Sequence, residues 1–252
     1  MALGRLTYNK YMSAPEINTQ NPEAPDKTDT APKGKLDIGT FLRAAAHEMA
    51  NQINALSMSG ELIKLLLERG DTARAGETID RMLADCARSG RMVRAMERFG
   101  SILRPRAPKT VPVSALVEGA MALYLQERTT GKPEVVLTLD SLHLNVDQAA
   151  VMRAIASLMH NATEAGAREI RVSARRTNDC VAITVADDAG GIPPNVLART
   201  TEPFFTTRRS QGHNGLGLTL ADEVARAHAG SLSIDDNNGV GTAATLSFPA
   251  DR

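Results

Sequence analysis

Between residues 37 and 100 the chain contains no proline, and its apolar positions keep a helical rhythm. Leu42, Met49, Leu56 and Ile63 recur every seven positions, and Ala46, Ile53, Gly60 and Leu67 interleave with them. Alternating spacings of four and three put both sets on one side of a helix. Gly70 and Asp71 then read as a helix end and the N-cap of the next helix. A second helix follows, with Ala75, Ile79, Met82, Cys86, Val93 and Met96 on its seam. There Cys86 reads as a small buried apolar residue. Two antiparallel helices cannot bury so long a seam alone, so the pattern predicts a symmetric homodimer built on a four-helix bundle.

Residues 1–36 scatter Pro15, Pro22, Pro25 and Pro32 among polar side chains and read as a disordered tail. Residues 104–112 (RPRAPKTVP) cannot continue a helix and read as a linker. Over 113–252 the pattern mixes periods. Helices are expected at 114 to about 130, 146–165 and 216–229, and strands at 135–139, 169–174, 180–186, 231–235 and 243–248. Parallel βαβ alternations are too few for a doubly wound sheet. The fold class expected is α+β: a helical hairpin over 37–103, then an α/β sandwich over 113–252.

Composition narrows the function. Lys plus Arg and Asp plus Glu both number 29, so there is no basic footprint for nucleic acid. With 42% apolar residues, 3% aromatics and no Trp, the core must be aliphatic and Ala-rich. No apolar run is long enough for a membrane span, and the N-terminus lacks a signal core, so a cytoplasmic protein is expected. Cys86 and Cys180 lie too far apart in sequence for metal-ligand spacing.

Five segments carry chemistry. HEMANQINAL sets an imidazole (His47), a carboxylate (Glu48) and, one turn on, an amide (Asn51) along one helix. A carboxylate beside an imidazole can hold one ring nitrogen protonated and leave the other free to attack. No second His follows at zinc-protease spacing. Asn161, in LMHNATEAGA, lies on a predicted helix, and VADDAGGIPP places Asp187 at a strand end before a turn. EPFFTTRRS joins two phenylalanines to hydroxyls and arginines. HNGLGL sets Gly215 and Gly217 at the mouth of a helix, where bare amides and the positive dipole end can receive phosphate.

In this order the segments resemble the histidine protein kinases of two-component signalling, particularly the group whose H-box runs His-Glu-x-x-Asn, like the nitrogen-regulation sensors. Residues 47–51 resemble the H-box, Asn161 the N-box and 187–192 the first glycine box. Residues 202–207 resemble the phenylalanine box, 215–218 the second glycine box and 239–242 a final Gly-x-Gly-Thr. The likeness covers about residues 37 to 250. It implies a dimerisation and phosphoacceptor bundle followed by an ATP-binding domain of the Bergerat type. His47 would attack the γ-phosphate of ATP, with Glu48 as proton acceptor, and the phosphoryl group would pass to an Asp of a response regulator receiver domain. Asn51 would place water when the phosphate is removed from that regulator. Asn161 would ligate Mg²⁺, a hard ion suited to an amide oxygen. Asp187 would accept from the adenine amino group, with Thr242 supporting through water and Gly191 allowing close approach. Gly215, Leu216 and Gly217 would offer amides to the phosphates, and Arg208 or Arg209 would act from the lid segment. Input would come from the tail, from a further domain or from a separate sensor protein.

Ser157 stands four before Asn161, where related hydrolysing ATPases carry a water-activating Glu, which leaves His47 as the acceptor. The chain departs from the pattern at Ala189, at Gln211 and His213, where glycines are expected unless Gly212 is a shifted equivalent, and at Gln52, where Pro is usual. These departures open an alternative: a histidine phosphotransferase or regulator-binding dimer with a degenerate ATP site. His143, His160 and His228 suggest no partner and are assigned surface or core roles.

Overall fold

A computed structural model describes residues 38–102, 106–127, 133–208, 213–237 and 240–250. The predicted tail, Arg209 and Gln211 lie outside these residues. The hairpin comprises α1 (Ile38–Glu68) and α2 (Thr72–Ile102). Gly70 ends α1 with φ +75°, and the Asp71 carboxylate accepts from the Arg74 N–H at 3.2 Å, capping α2.

The face of α1 that packs on α2 runs through Phe41, Ala45, Glu48, Gln52, Leu56, Ser59 and Ile63. The predicted seam lies roughly a quarter turn further round the helix. The two stripes share Leu56 and Ile63, while Leu42, Met49, Ile53 and Leu67 keep 41% to 59% exposure. Helix α2 likewise leaves Ile79, Leu83 and Val93 exposed. Cys86 is exposed as well in the single chain, away from the α1-facing side of α2. Each helix is therefore apolar over more than its partner covers. No described helix is long and apolar enough to cross a membrane.

The remainder comprises β1 (Lys109–Pro112), α3 (Val113–Glu127), β2 (Glu134–Leu139), β3 (His143–Val146), α4 (Gln148–Glu164), β4 (Glu169–Thr177), β5 (Cys180–Asp187), α5 (Pro194–Leu197), α6 (Gly217–Ala227), β6 (Ser231–Asp236) and β7 (Thr242–Pro249). Five strands form a mixed sheet in the order β2-β4-β5-β7-β6, parallel only between β2 and β4. Strands β1 and β3 pair separately and antiparallel, from Lys109 opposite Val146 to Pro112 opposite His143. The end of the expected linker is thus a strand. Proline is tolerated at the end of such a short two-stranded ribbon, and four residues are too few to show a period.

Helices α3, α4 and α6 pack together and supply the core, with Leu116, Val117, Ile155, Met159 and Val224 set among Ile170, Val172, Ile183 and Leu246 of the sheet. Buried Tyr124 of α3 holds its hydroxyl 2.8 Å from Thr163 Oγ1 on α4. Helix α4 starts at Asp147, whose carboxylate accepts from the N–H groups of Ala149, Ala150 and Arg106. The Asp147 N–H donates to His228 Nε2 at 2.9 Å, and His228 Nδ1 lies 2.8 Å from Val224 O. These two contacts give His228 a structural role, joining the end of α6 to the start of α4.

Candidate functional site

Strand β5 buries every second residue: Val181, Ile183, Val185, then Asp187. The period of two carries a carboxylate to an inward position at the strand's C-terminal end. Its Oδ1 accepts from the Ala189 N–H at 2.9 Å and the Thr242 N–H at 3.1 Å, and its carbonyl accepts from Asn237 Nδ2 at 2.8 Å. Burial raises the Asp187 carboxyl from its ordinary value, against the pull of those two N–H groups. Gly241 explains the neighbouring turn. Its φ is +86°, and a Cβ there would stand 2.0 Å from Asp187 O. Gly191, with φ +69°, faces the Gly241 carbonyl across the same turn. Ala189 is not among the described residues with positive φ, so its methyl is accommodated without strain.

Ser157 and Asn161 lie one turn apart on α4, both against the start of α6. Ser157 Oγ donates to Gly217 O at 3.2 Å, and a Cβ on Gly217 would fall 2.8 Å from Asn161 Oδ1. Asn161 Nδ2 is buried without a hydrogen-bond partner. Leu216 caps α6 with no side-chain hydrogen bond, so the first-turn N–H groups receive no side-chain acceptor from the cap. The loop before α6 is tightly built. Gly215 has φ +63° with no room for a Cβ beside Phe205 O, and its carbonyl accepts from the Phe204 N–H at 2.9 Å. Phe204, itself at φ +63°, packs 5.5 Å from Phe41, which stacks 4.5 Å from Phe99. Arg208 is half-buried on the same loop.

The structure therefore brings together Asp187, Gly191 and Thr242 at one end, and Asn161 with Gly215, Leu216 and Gly217 at the other. His47 stands apart, exposed on α1, and no described contact joins it to either cluster. Glu48, Asn51 and Gln52 instead line a cleft of about 320 Å³ with Arg88 and Ser89 of α2 and His213 and Asn214 of the loop. Gln52 takes up no helix break: its Nε2 lies 3.0 Å from Met92 Sδ and 3.4 Å from Glu48 Oε1. Sequence reasoning did not single out Asn237, Gly241 and Glu164. Gly241 and Glu164 stood inside recognised segments, but Glu164, like Asn237, makes its contact only through the fold.

Residues 146–252 match the family described as histidine kinase-, DNA gyrase B- and HSP90-like ATPase. Among curated proteins, the nitrogen regulation protein NtrY of Azorhizobium caulinodans is 28% identical over 77% of this chain and 26% of its own length. The sensor-like histidine kinase SenX3 of Mycobacterium bovis is 27% identical over 83% of this chain and 53% of its own. The chain thus spans from about a quarter to about half the length of these relatives. Among solved structures, the Acinetobacter baumannii histidine kinase AdeS matches 82% of this chain and 98% of its own, with 15% identity and a TM-score of 0.59. That likeness gives the fold: a helical hairpin and the α/β sandwich of histidine kinase catalytic domains.

Proposed function

We propose that the chain is a two-component sensor histidine kinase, like the relatives it resembles, and that it uses ATP to phosphorylate itself on His47 and passes the phosphoryl group to an aspartate of a response regulator. The observation that carries this reading is the pairing of two clusters on one sandwich. A buried carboxylate sits beside a glycine-lined turn, and an uncapped helix start faces a buried amide.

The buried Asp187 carboxylate keeps Oδ2 for a donor such as the adenine amino group, while its Oδ1 is held by the Ala189 and Thr242 N–H groups. The amides of residues 215–217, at the positive end of α6, suit phosphate oxygens. Asn161 fits a role in holding Mg²⁺ through Oδ1, the hard oxygen of its amide, which faces Gly217 at the start of α6. When bound, that ion would neutralise charge on the phosphates. Arg208 supplies a further positive charge from the loop.

At His47 one ring nitrogen forms a bond to the γ-phosphorus as the bond to the β–γ bridging oxygen breaks. ADP leaves with that oxygen, and Glu48 receives the imidazole proton. The phosphoryl group then moves from imidazole nitrogen to a regulator carboxylate. Asn51, beside Glu48 in the cleft, is suited to orienting water for the reverse removal of phosphate from the regulator. The exposure of His47 supports both encounters, because the acceptor must meet first a nucleotide and then a partner protein.

Incubation with γ-labelled radioactive ATP and Mg²⁺ tests the reading. The expected product is acid-labile, base-stable label on the protein that disappears in His47→Ala. No label, combined with transfer of phosphate to His47 from a phosphorylated regulator, would replace the kinase with a phosphotransferase.

A further inference from the structure

His213 stands two residues before Gly215, at a position where the sequence pattern led us to expect glycine. Its Nδ1 lies 2.8 Å from Glu164 Oε2, with side-chain exposures of 18% for the histidine and 38% for the glutamate. Glu164 is the last residue of α4, three positions after Asn161 and so on the same side of that helix. The charged groups facing the pair are Arg208, from the same loop, and Arg91, from α2. The loop that presents amides at the start of α6 is consequently fastened at two points. On one side the Phe204 N–H donates to Gly215 O, and on the other His213 reaches Glu164. A loop held in this way loses less conformational freedom when a ligand engages its backbone, and binding is tighter by that saving.

We propose that His213 is a positioning residue for the nucleotide's phosphates. Through Glu164 it keeps the amides of residues 215–217 in register with Asn161 before the ligand arrives. This rests on the reading that ATP binds at this site. A glycine at 213 would leave that side of the loop unfastened.

The test is calorimetric titration of the full chain with Mg²⁺ and a non-hydrolysable ATP analogue, and separately with adenosine. His213→Ala is expected to weaken the analogue about five- to tenfold and leave adenosine unchanged. Glu164→Gln and Glu164→Ala both remove the carboxylate charge, so the difference between them isolates the hydrogen bond. The Ala variant should bind the analogue about five- to tenfold more weakly than the Gln variant, whose amide oxygen still accepts from Nδ1–H. In the Glu164→Ala background, adding His213→Ala should change affinity by less than about twofold. The proposal is overturned if the two losses multiply, if adenosine weakens in parallel, or if His213→Ala binds the analogue as the parent does. A parent that binds neither ligand would overturn the nucleotide reading itself.

Discussion

Asp187 occupies the place where the alternation of β5 would put a fourth aliphatic side chain, and its burial follows from register alone. Glu164 is displaced further. Burial lifts its carboxyl from 4.5 to about 7, against the pull of Arg208 and Arg91. The folded protein therefore holds this proton more tightly than the unfolded chain does. Its contribution to stability is complete below pH 4.5 and is lost as pH rises through about 7. Glu164→Gln copies the protonated form at every pH. It should gain on the parent by about 1 kcal/mol between roughly pH 5 and pH 8, an amplitude discounted for the side chain's partial exposure. Thermal melts of the two proteins across that range check this; a parent that gains on the variant as pH rises would contradict it. The site's own carboxylate was legible because Asp187 stands next to a Gly-Gly-Ile-Pro-Pro turn. The Glu164–His213 pair was not, because nothing local marks two residues that meet only once α4 and the loop before α6 are folded together.

Among the elements, the long helices announced themselves by period, and the strands of the large sheet by short apolar stretches between turns. Strands β1 and β3 did not, since their four residues each gain meaning only from pairing with one another. The aromatic cluster was equally hidden. Phe41 opens α1, Phe99 lies near the end of α2, and Phe204 sits in the turn before Gly215, yet the three rings pack in sequence. That contact ties the hairpin to the loop before α6, and it steadies a phenylalanine in the left-handed region that would otherwise cost about 1–2 kcal/mol. Phe41→Ala should destabilise the protein by about 2–4 kcal/mol in chemical denaturation, whereas Phe41→Leu should lose less than half of that. An unchanged denaturation midpoint for Phe41→Ala would show that the cluster contributes nothing.

At the scale of the whole molecule the unfinished surface is the hairpin. The seam read from the sequence is real as a pattern, but the chain's own α2 covers a neighbouring stripe and leaves Leu42, Met49, Ile53 and Leu67 in water. Together with Ile79, Leu83 and Val93 they form an apolar face of the kind that a second copy covers in a four-helix bundle. Sedimentation of the parent is expected to give a dimer, and Ile53→Asp combined with Leu83→Asp a monomer. Nucleotide binding in the monomer should persist, because Asp187, Asn161 and the α6 start lie outside that face. A parent that sediments as a monomer would remove the dimer from the account.

Tyr124 gives the molecule one more property. The chain has no tryptophan and three tyrosines, of which Tyr8 and Tyr11 lie in the first 36 residues. The third is wholly enclosed, its hydroxyl tied to a threonine two positions beyond Asn161 on the same helix. Among the described residues, ultraviolet emission in the tyrosine band has this one source, buried and bonded to the helix that carries Asn161. Substituting Phe at positions 8 and 11 would turn the whole band into the signal of that one ring: a native optical probe of the helix, with no dye attached.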